Sequence, residues 1–414
     1  MKLLVFAHTP PPLHGQSYMV QLMLEGLGGD HRRRQPGDAP HPGDAHGIQC
    51  YHVNTRFSKR LEDIGEFHGI KLFRLMVYCL EAVWCRFRHG VTHFYYIPAP
   101  GKRSALYRDW MVMLLCHPFF EKIILHWEAA GLAKWLETSA QIRSRAITYH
   151  AYKPVDLSVV LSNYNMADAE KLLSRNIRVV NNGIADPCPD FAETLLPRSR
   201  ARRAARAKLF AGESLSPPEI TAAGGDPELI NVLFLANGLR EKGPFAALRG
   251  VVAANRTLAA SQRKMRMRLV FAGNFVTDDE REEFDRLHKE PEFAAAVNRV
   301  GFVSGAEKLR VLREADLFCF PTLYLGENQP VCLIEAMAFG LPIVTTRWRS
   351  LPEMLPPNYP GLVNGHDPDE IAGALLKMAA LETSAELREV FLSRFSLDQY
   401  LTGMAAAIRS VEKP

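Results

Sequence analysis

The sequence predicts an α/β fold built on parallel sheets, and three observations predict it. Short apolar runs recur along the chain without the alternation of a half-exposed strand. Helical patterns lie between these runs. Polar turns follow several runs directly, and the carboxyl ends of strands are where open α/β sheets bind ligands. With 414 residues, two domains are expected.

The runs fall at residues 3–7, 123–126, 159–162 and 179–181, then at 232–236, 269–272, 317–320 and 343–345. A turn at Asn181, Asn182 and Gly183 closes the first set. The expected organisation is an N-terminal domain over residues 1–185, a linker or insertion over 186–228, and a second domain over 229–388. A last helix follows within 389–414. Ser396 is its expected N-cap, and Leu397, Tyr400, Leu401, Met404 and Ile408 share one face that must pack on something. Residues 28–47, rich in Gly, Pro and Asp, are expected to form a mobile surface loop. The basic stretch 198–208 has two readings: a solvated helix, or a contact with anionic lipid or substrate.

Composition excludes several classes. Apolar residues are 47% and charged residues 23%, which is ordinary for a globular chain and unlike a disordered one. The net charge of +5 allows an anionic substrate or membrane surface without demanding nucleic acid. The seven cysteines form no C-x-x-C pair, so neither a disulfide framework nor a zinc ribbon is expected. No metal-ligand spacing is present, and metal: none is the expectation. The first apolar run is too short for a signal peptide, and no stretch is long and apolar enough to span a bilayer. A cytoplasmic location is expected. The motifs of dinucleotide dehydrogenases, P-loop NTPases, serine hydrolases and zinc proteases are missing.

The most informative segment is 320–342. A strand ends at Phe320, Pro330 suits the first turn of a helix, and Gly340 suits its C′ position. The backbone of Asn328, Gln329, Pro330 and Val331 then opens a helix at the carboxyl end of a strand, a setting that favours an anion such as a diphosphate. Glu327 lies beside that opening, and Glu335 lies about two turns on. Carboxylates at these places can accept hydrogen bonds from sugar or ribose hydroxyls. The plainer reading makes Glu327 a surface acid and Glu335 the partner of a nearby cation.

Three further strand ends join this one. Asn237, Arg240 and Lys242 follow the run at 232–236, and Lys242 can reach phosphate oxygens. Asn274 follows the run at 269–272. Phe302 and Val303 can hold a base. In the N-terminal half, Pro10, Pro11, Pro12, Leu13, His14 and Gly15 follow the first strand, and Gly15 permits close approach to a ligand. His126 ends the strand at 123–126, with Glu128 after it.

Taken together, these segments resemble the retaining glycosyltransferases of family 4. The likeness is strongest over 229–350, partial over 1–27, 120–186 and 389–412, and absent over 190–228. It implies a GT-B fold of two facing Rossmann-like domains with an inter-domain cleft. It implies that Glu327, with residues 328–331, holds the donor sugar and its phosphates, and that Glu335 holds the ribose. Lys242 matches the diphosphate-binding lysine, and His126 the histidine near the reacting carbon. Asn237 stands where the family usually has arginine, which leaves one cation fewer; Arg240 is a candidate substitute. The opening prolines look like those of enzymes building bacterial surface polysaccharides, and the last helix is expected to return to the first domain. The implied reaction moves a hexosyl unit from a nucleotide-diphosphate sugar to an acceptor hydroxyl, with retention and no cofactor. The expected acceptor is a glycan or lipid-linked carrier at the inner face of the membrane. Segments 72–80 and 110–115, with Lys59, Arg60, Lys71, Arg86 and Arg88 near, read either as a membrane-facing surface or as ordinary core helices. A non-hydrolysing sugar-nucleotide epimerase and a non-catalytic binding scaffold are the alternatives.

Overall fold

A computed structural model describes residues 1–11, 15–35, 37–56, 69–99, 101–153 and 155–412. Pro12, Leu13, His14, Lys59 and Arg60 lie outside the described residues, as does the side chain of Lys71. The chain forms two compact units. One comprises Met1–Ile184 with Phe395–Pro414, and the other Ala185–Arg394.

The first unit holds a six-stranded sheet. Its strands are β1 (Lys2–Ala7), β2 (Gln49–Asn54), β3 (His93–Tyr96), β4 (Lys122–Trp127), β5 (Leu157–Val160) and β6 (Asn176–Val179), in the order β2-β1-β3-β4-β5-β6. All neighbouring pairs are parallel. Parallel neighbours need long crossovers, and helices such as Gly69–His89 and Arg103–Cys116 supply them. The chain runs from β1 to one side and then returns to β1's other side for β3. That reversal is the topological switch point of the sheet.

The second unit repeats the plan with β7 (Leu229–Leu235), β8 (Arg266–Ala272), β9 (Val297–Gly301), β10 (Leu317–Phe320), β11 (Ile343–Thr346) and β12 (Leu362–Val363). The order β12-β11-β10-β7-β8-β9 puts its switch point between β7 and β10. β1, β10 and β11 are almost wholly buried, as their continuous apolar or small residues require.

Several expectations need correction. β5 begins and ends two residues before the apolar run at 159–162, and β6 begins three and ends two residues before the run at 179–181. The run around 28–47 is not a loose loop. It forms two short turns, His31–Arg33 and Pro42–His46, fastened by Arg32 to Asp30 and Glu81 and by Arg34 to Asp44. Residues 186–228 belong to the second unit and contain the helices Leu196–Ala211 and Pro217–Ala223. The basic stretch is helical, with Arg200 and Lys208 exposed and another face turned inward. Arg202 and Arg206 both pair with Asp316, at 2.8 and 2.9 Å, and the Arg206 side chain is only 4% exposed. Two guanidiniums sharing one carboxylate anchor this helix to its own unit rather than offering it to lipid.

The last helix, Leu397–Arg409, buries Tyr400, Leu401, Met404 and Ile408 within the first unit. Ser396 occupies its N-cap position without a side-chain cap bond. Ile184 and the residues before this helix are stitched together: Ile184 N–H donates to the Phe395 carbonyl at 3.0 Å, and Leu397 N–H to the Ile184 carbonyl at 2.8 Å.

Candidate active site

The second unit gathers its candidate residues at the carboxyl ends of β7 and β10, beside the switch point. Two loops meet there. Lys242 closes a short turn, Arg240–Lys242, after β7, and Gly243 follows at φ 87°. A side chain at Gly243 would be strained and would strike the Pro321 carbonyl, so glycine lets the two loops touch. Leu323 N–H donates to the Glu241 carbonyl at 2.7 Å, which fixes the contact. The second loop is pinned from β11 and the turn after it. Thr345 Oγ1 donates to the Phe320 carbonyl at 2.6 Å, Trp348 Nε1 to the Tyr324 carbonyl at 2.9 Å, and Ser350 Oγ to Asn328.

This scaffold sets Lys242 Nζ 3.4 Å from Glu327 Oε2, and the ammonium lies over the rings of Phe320 and Tyr324. Burial disfavours the lysine's charge, yet the Glu327 carboxylate outweighs it and holds the ammonium pKa above the ordinary value. Glu327 is itself buried, and its Oε2 receives no directed hydrogen bond among the described residues. The pair is therefore charged, close and incompletely satisfied.

The following helix is Val331–Ala338. Pro330 is its N-cap rather than its first helical residue, and its carbonyl accepts from Leu333 and Ile334. Having no N–H, Pro330 adds nothing to an anion nest; Val331 and Cys332 bring the first-turn N–H groups, which have no partner within the helix. Gly340 N–H to Met337 and Leu341 N–H to Ala336 close the far end in a Schellman motif, with Gly340 at C′ and φ 59°. Glu335, buried in this helix, receives Lys308 Nζ from the helix Gly305–Glu314. Burial pushes the Glu335 carboxyl above its ordinary pKa, and Lys308 opposes that shift. The Cys332 thiol, raised by burial, also senses the charges of Glu327, Lys242 and Glu335.

The other strand ends lie along the same edge. Gly238 N–H donates to the Asn274 carbonyl at 2.8 Å, joining the loop of Asn237 to that of Asn274. Asn274 is exposed; Phe302, just past β9, is 60% exposed, and Val303 is buried. Arg240 does not join Lys242. Its guanidinium pairs with Glu283 on the helix Asp278–Leu287 and lies over Phe245, and its N–H donates to Glu280. Lys308 and Ser350 were missed in the sequence: one sits in an unremarked amphipathic helix, the other in a turn without a motif.

In the first unit, Gly15 opens the helix Gly15–Gly26. His126 is the penultimate residue of β4 and fully buried. Its Nδ1 lies 2.6 Å from the Tyr95 hydroxyl and 3.8 Å from Glu128 Oε1, and its Nε2 has no hydrogen-bond partner among the described residues. Burial lowers the imidazole pKa to about 3 and raises that of Glu128 to about 8, so at neutral pH the two are a neutral pair and not an ion pair. Asn182 Nδ2 donates to Glu128 Oε2 at 3.5 Å. Among the described residues no group of three His, Cys, Asp or Glu side chains comes together as a metal site.

Residues 231–380 match the family described as glycosyl transferases group 1. This segment of the chain is thereby similar to that family. It is 38% identical over 88 residues to the amylovoran biosynthesis glycosyltransferase AmsK of Erwinia amylovora, over 20% of this chain and 22% of that protein. It is 37% identical over 90 residues to the MMP alpha-(1->4)-mannosyltransferase of Mycolicibacterium hassiacum, over 21% of each. Each alignment spans about a fifth of the curated relative. Solved structures resemble the fold of the chain over its whole length. The sucrose-phosphate synthase of Thermosynechococcus elongatus has a TM-score of 0.66 at 17% identity, covering 99% of both chains. HepE of Anabaena, solved in complex with UDP, has a TM-score of 0.62 at 14% identity, covering 99% of this chain and 100% of that one. The chain thus has the GT-B fold.

Proposed function

We propose that the protein transfers a hexosyl unit from a nucleotide-diphosphate sugar to an acceptor hydroxyl, with retention of configuration. The observation that carries this reading is the Lys242–Glu327 pair at the switch point of the second sheet, directly before a helix start. A lysine kept charged among aromatic faces and one incompletely satisfied carboxylate suits a ligand that brings both phosphate and hydroxyls. In this reading a diphosphate takes Lys242 and the N–H groups of Val331 and Cys332, while Glu327 turns to sugar hydroxyls. Glu335, steadied by Lys308, accepts from the ribose diol, and Phe302 and Val303 hold the base. Catalysis is mainly positioning plus stabilisation of the departing diphosphate. We assign His126 the Nε2–H tautomer, because the Tyr95 hydroxyl can donate to Nδ1. A neutral Nε2–H then serves as a donor near the reacting carbon. HepE is described in complexes with UDP and with UDP-glucose, which makes uridine nucleotides the first to try.

The test is the thermal midpoint of the protein against UDP, GDP and ADP sugars, with Glu335→Ala as control. At a hundredfold excess over Kd a bound sugar nucleotide adds about 2.7 kcal/mol, on the order of 5–10 °C. A shift with one base, about halved in Glu335→Ala, supports the reading; no shift with any sugar nucleotide counts against it.

We further propose an acceptor presented at an anionic membrane surface. The helix Gly69–His89 turns Leu75, Cys79 and Ala82 inward, but Phe73, Met76, Val77, Leu80, Trp84 and Phe87 make an exposed apolar stripe along it. Phe73 and Phe87 are 70% and 72% exposed, and Arg74, Arg86 and Arg88 lie on the same helix. This composition suits an element lying in a bilayer interface. No described helix is long and apolar enough to cross a membrane. Co-flotation with anionic vesicles, lost in Phe73→Ser/Phe87→Ser, is the expected result; no flotation of the unaltered chain defeats the membrane reading.

A further inference from the structure

The switch point of the first sheet also holds a cation at the mouth of a cavity. The cavity is small and half-open, walled by Phe6, Ala7, Leu75, Tyr96 and Ile97, with His8, Gln16, Thr55 and Arg108 as its polar groups. It lies at the carboxyl ends of β1 and β3, the place where an open α/β sheet takes a ligand. Among the described residues no carboxylate lines it.

Arg108 is held rigidly. Its Nε and Nη2 donate to Asp109 Oδ1 at 3.0 and 2.9 Å. Asp109 is fully buried and already receives three other donors: the hydroxyls of Tyr96 and Tyr152, at 2.6 and 2.8 Å, and the N–H of Ala99 at 2.8 Å. One carboxylate with five donors neutralises a single guanidinium incompletely. The third nitrogen of Arg108, Nη1, has no acceptor among the described residues, and a third of the side chain stays accessible. A planar, permanently charged fork fixed on one edge and open on the other is suited to an oxyanion.

We propose that this cavity is an anion subsite of the acceptor, in which Arg108 receives a phosphate group. The proposal rests on the glycosyltransferase reading above and narrows it to acceptors carrying phosphate. Leu75 ties the cavity to the helix with the exposed apolar stripe, so a phosphate attached to a lipid chain fits this corner; a soluble sugar phosphate presents the same anion.

The test is calorimetric titration of the full chain with farnesyl diphosphate and with glucose 1-phosphate, at low salt and below the micelle concentration. Arg108→Gln is expected to weaken the phosphate probe about tenfold or more, and Arg108→Lys to recover part of that, as befits a charge-assisted bond. Because Arg108→Gln also disturbs Asp109, a second variant leaves that network intact: Gln16→Glu places a carboxylate in the cavity and is expected to weaken the same probe about tenfold through like-charge repulsion. UDP affinity should be unchanged in both. Tighter farnesyl diphosphate than glucose 1-phosphate identifies a lipid-linked source, and the reverse a soluble one. Binding of neither probe, or equal affinities in the unaltered chain, Arg108→Gln and Gln16→Glu, overturns the proposal. Loss of UDP binding by the unaltered chain would instead strike the donor reading alone.

Discussion

The two switch points hold the same kind of group in opposite states. In the second unit, Lys242 faces a carboxylate whose Oε2 accepts no directed hydrogen bond among the described residues. In the first, Arg108 faces one crowded by three further hydrogen bonds, from Tyr96, Ala99 and Tyr152. A loosely met pair can exchange partners when a ligand arrives. A saturated carboxylate cannot, so it orients its cation instead. Beside Arg108's sheet edge, His126 and Glu128 reach the same end by shedding charge altogether. The difference teaches that one fold can make a polar site either by leaving charges underpaired or by burying them until they are neutral.

The strongest way to break this comparison is Lys242→Ala. Turnover with a sugar nucleotide is expected to fall by about a hundredfold or more, the scale of losing one group that stabilises developing charge. Near-normal kcat would remove the role given to the underpaired lysine.

Glu128 tests the neutral side. Its folded pKa of about 8 lies above the ordinary 4.5, so its contribution to stability is present below pH 4.5 and is lost as pH rises toward 8. His126 runs the other way: its lowered pKa makes its contribution present above pH 6.5 and lost as pH falls toward 3. Glu128→Gln is expected to remove the alkaline part of the loss, stabilising the protein by about 2 kcal/mol at pH 9 and little at pH 5. Denaturant midpoints across pH check this, and an unchanged alkaline slope would mean Glu128 is ionised in the fold.

Glu335→Ala should weaken nucleotide binding about tenfold, one lost charge-assisted bond plus a stranded Lys308. Lys308→Met should weaken it less, since the carboxylate remains. The smallest effect is expected at Arg240. Tied to Glu283, it lies outside the phosphate contacts, and Arg240→Ala should alter kcat/KM by less than about threefold, within the range of an exposed ion pair. A larger loss would make it the substitute for the cation missing at Asn237.

Much of the second unit was readable because its strands are apolar on both faces and its chemistry follows them directly. Phe320, Glu327, Glu335 and Gly340 stand in one continuous segment, and the structure keeps them together. Lys308 could not be read this way, since its contact with Glu335 spans 27 residues and depends on how two helices pack. β3 escaped notice because it has only four residues, three of them aromatic, between two helices. β2 carries Gln49, His52 and Asn54 among its apolar residues, which blurs the pattern; Asp30 and Ala7 satisfy His52. The basic helix 196–211 showed its charge but not its direction, because partners remote in sequence, such as Asp316 more than a hundred residues on, turn those arginines inward.

The stitch between Ile184 and the residues around Leu397 has a consequence for biosynthesis. The first unit lacks an inner layer until its last helix emerges from the ribosome, some two hundred residues after its sheet is complete. Throughout that interval the surface awaiting Tyr400, Met404 and Ile408 stays open to water and to chaperones. A chain broken off before Phe395 can finish the second unit yet never the first, so folding of the early part reports on translation of the late part.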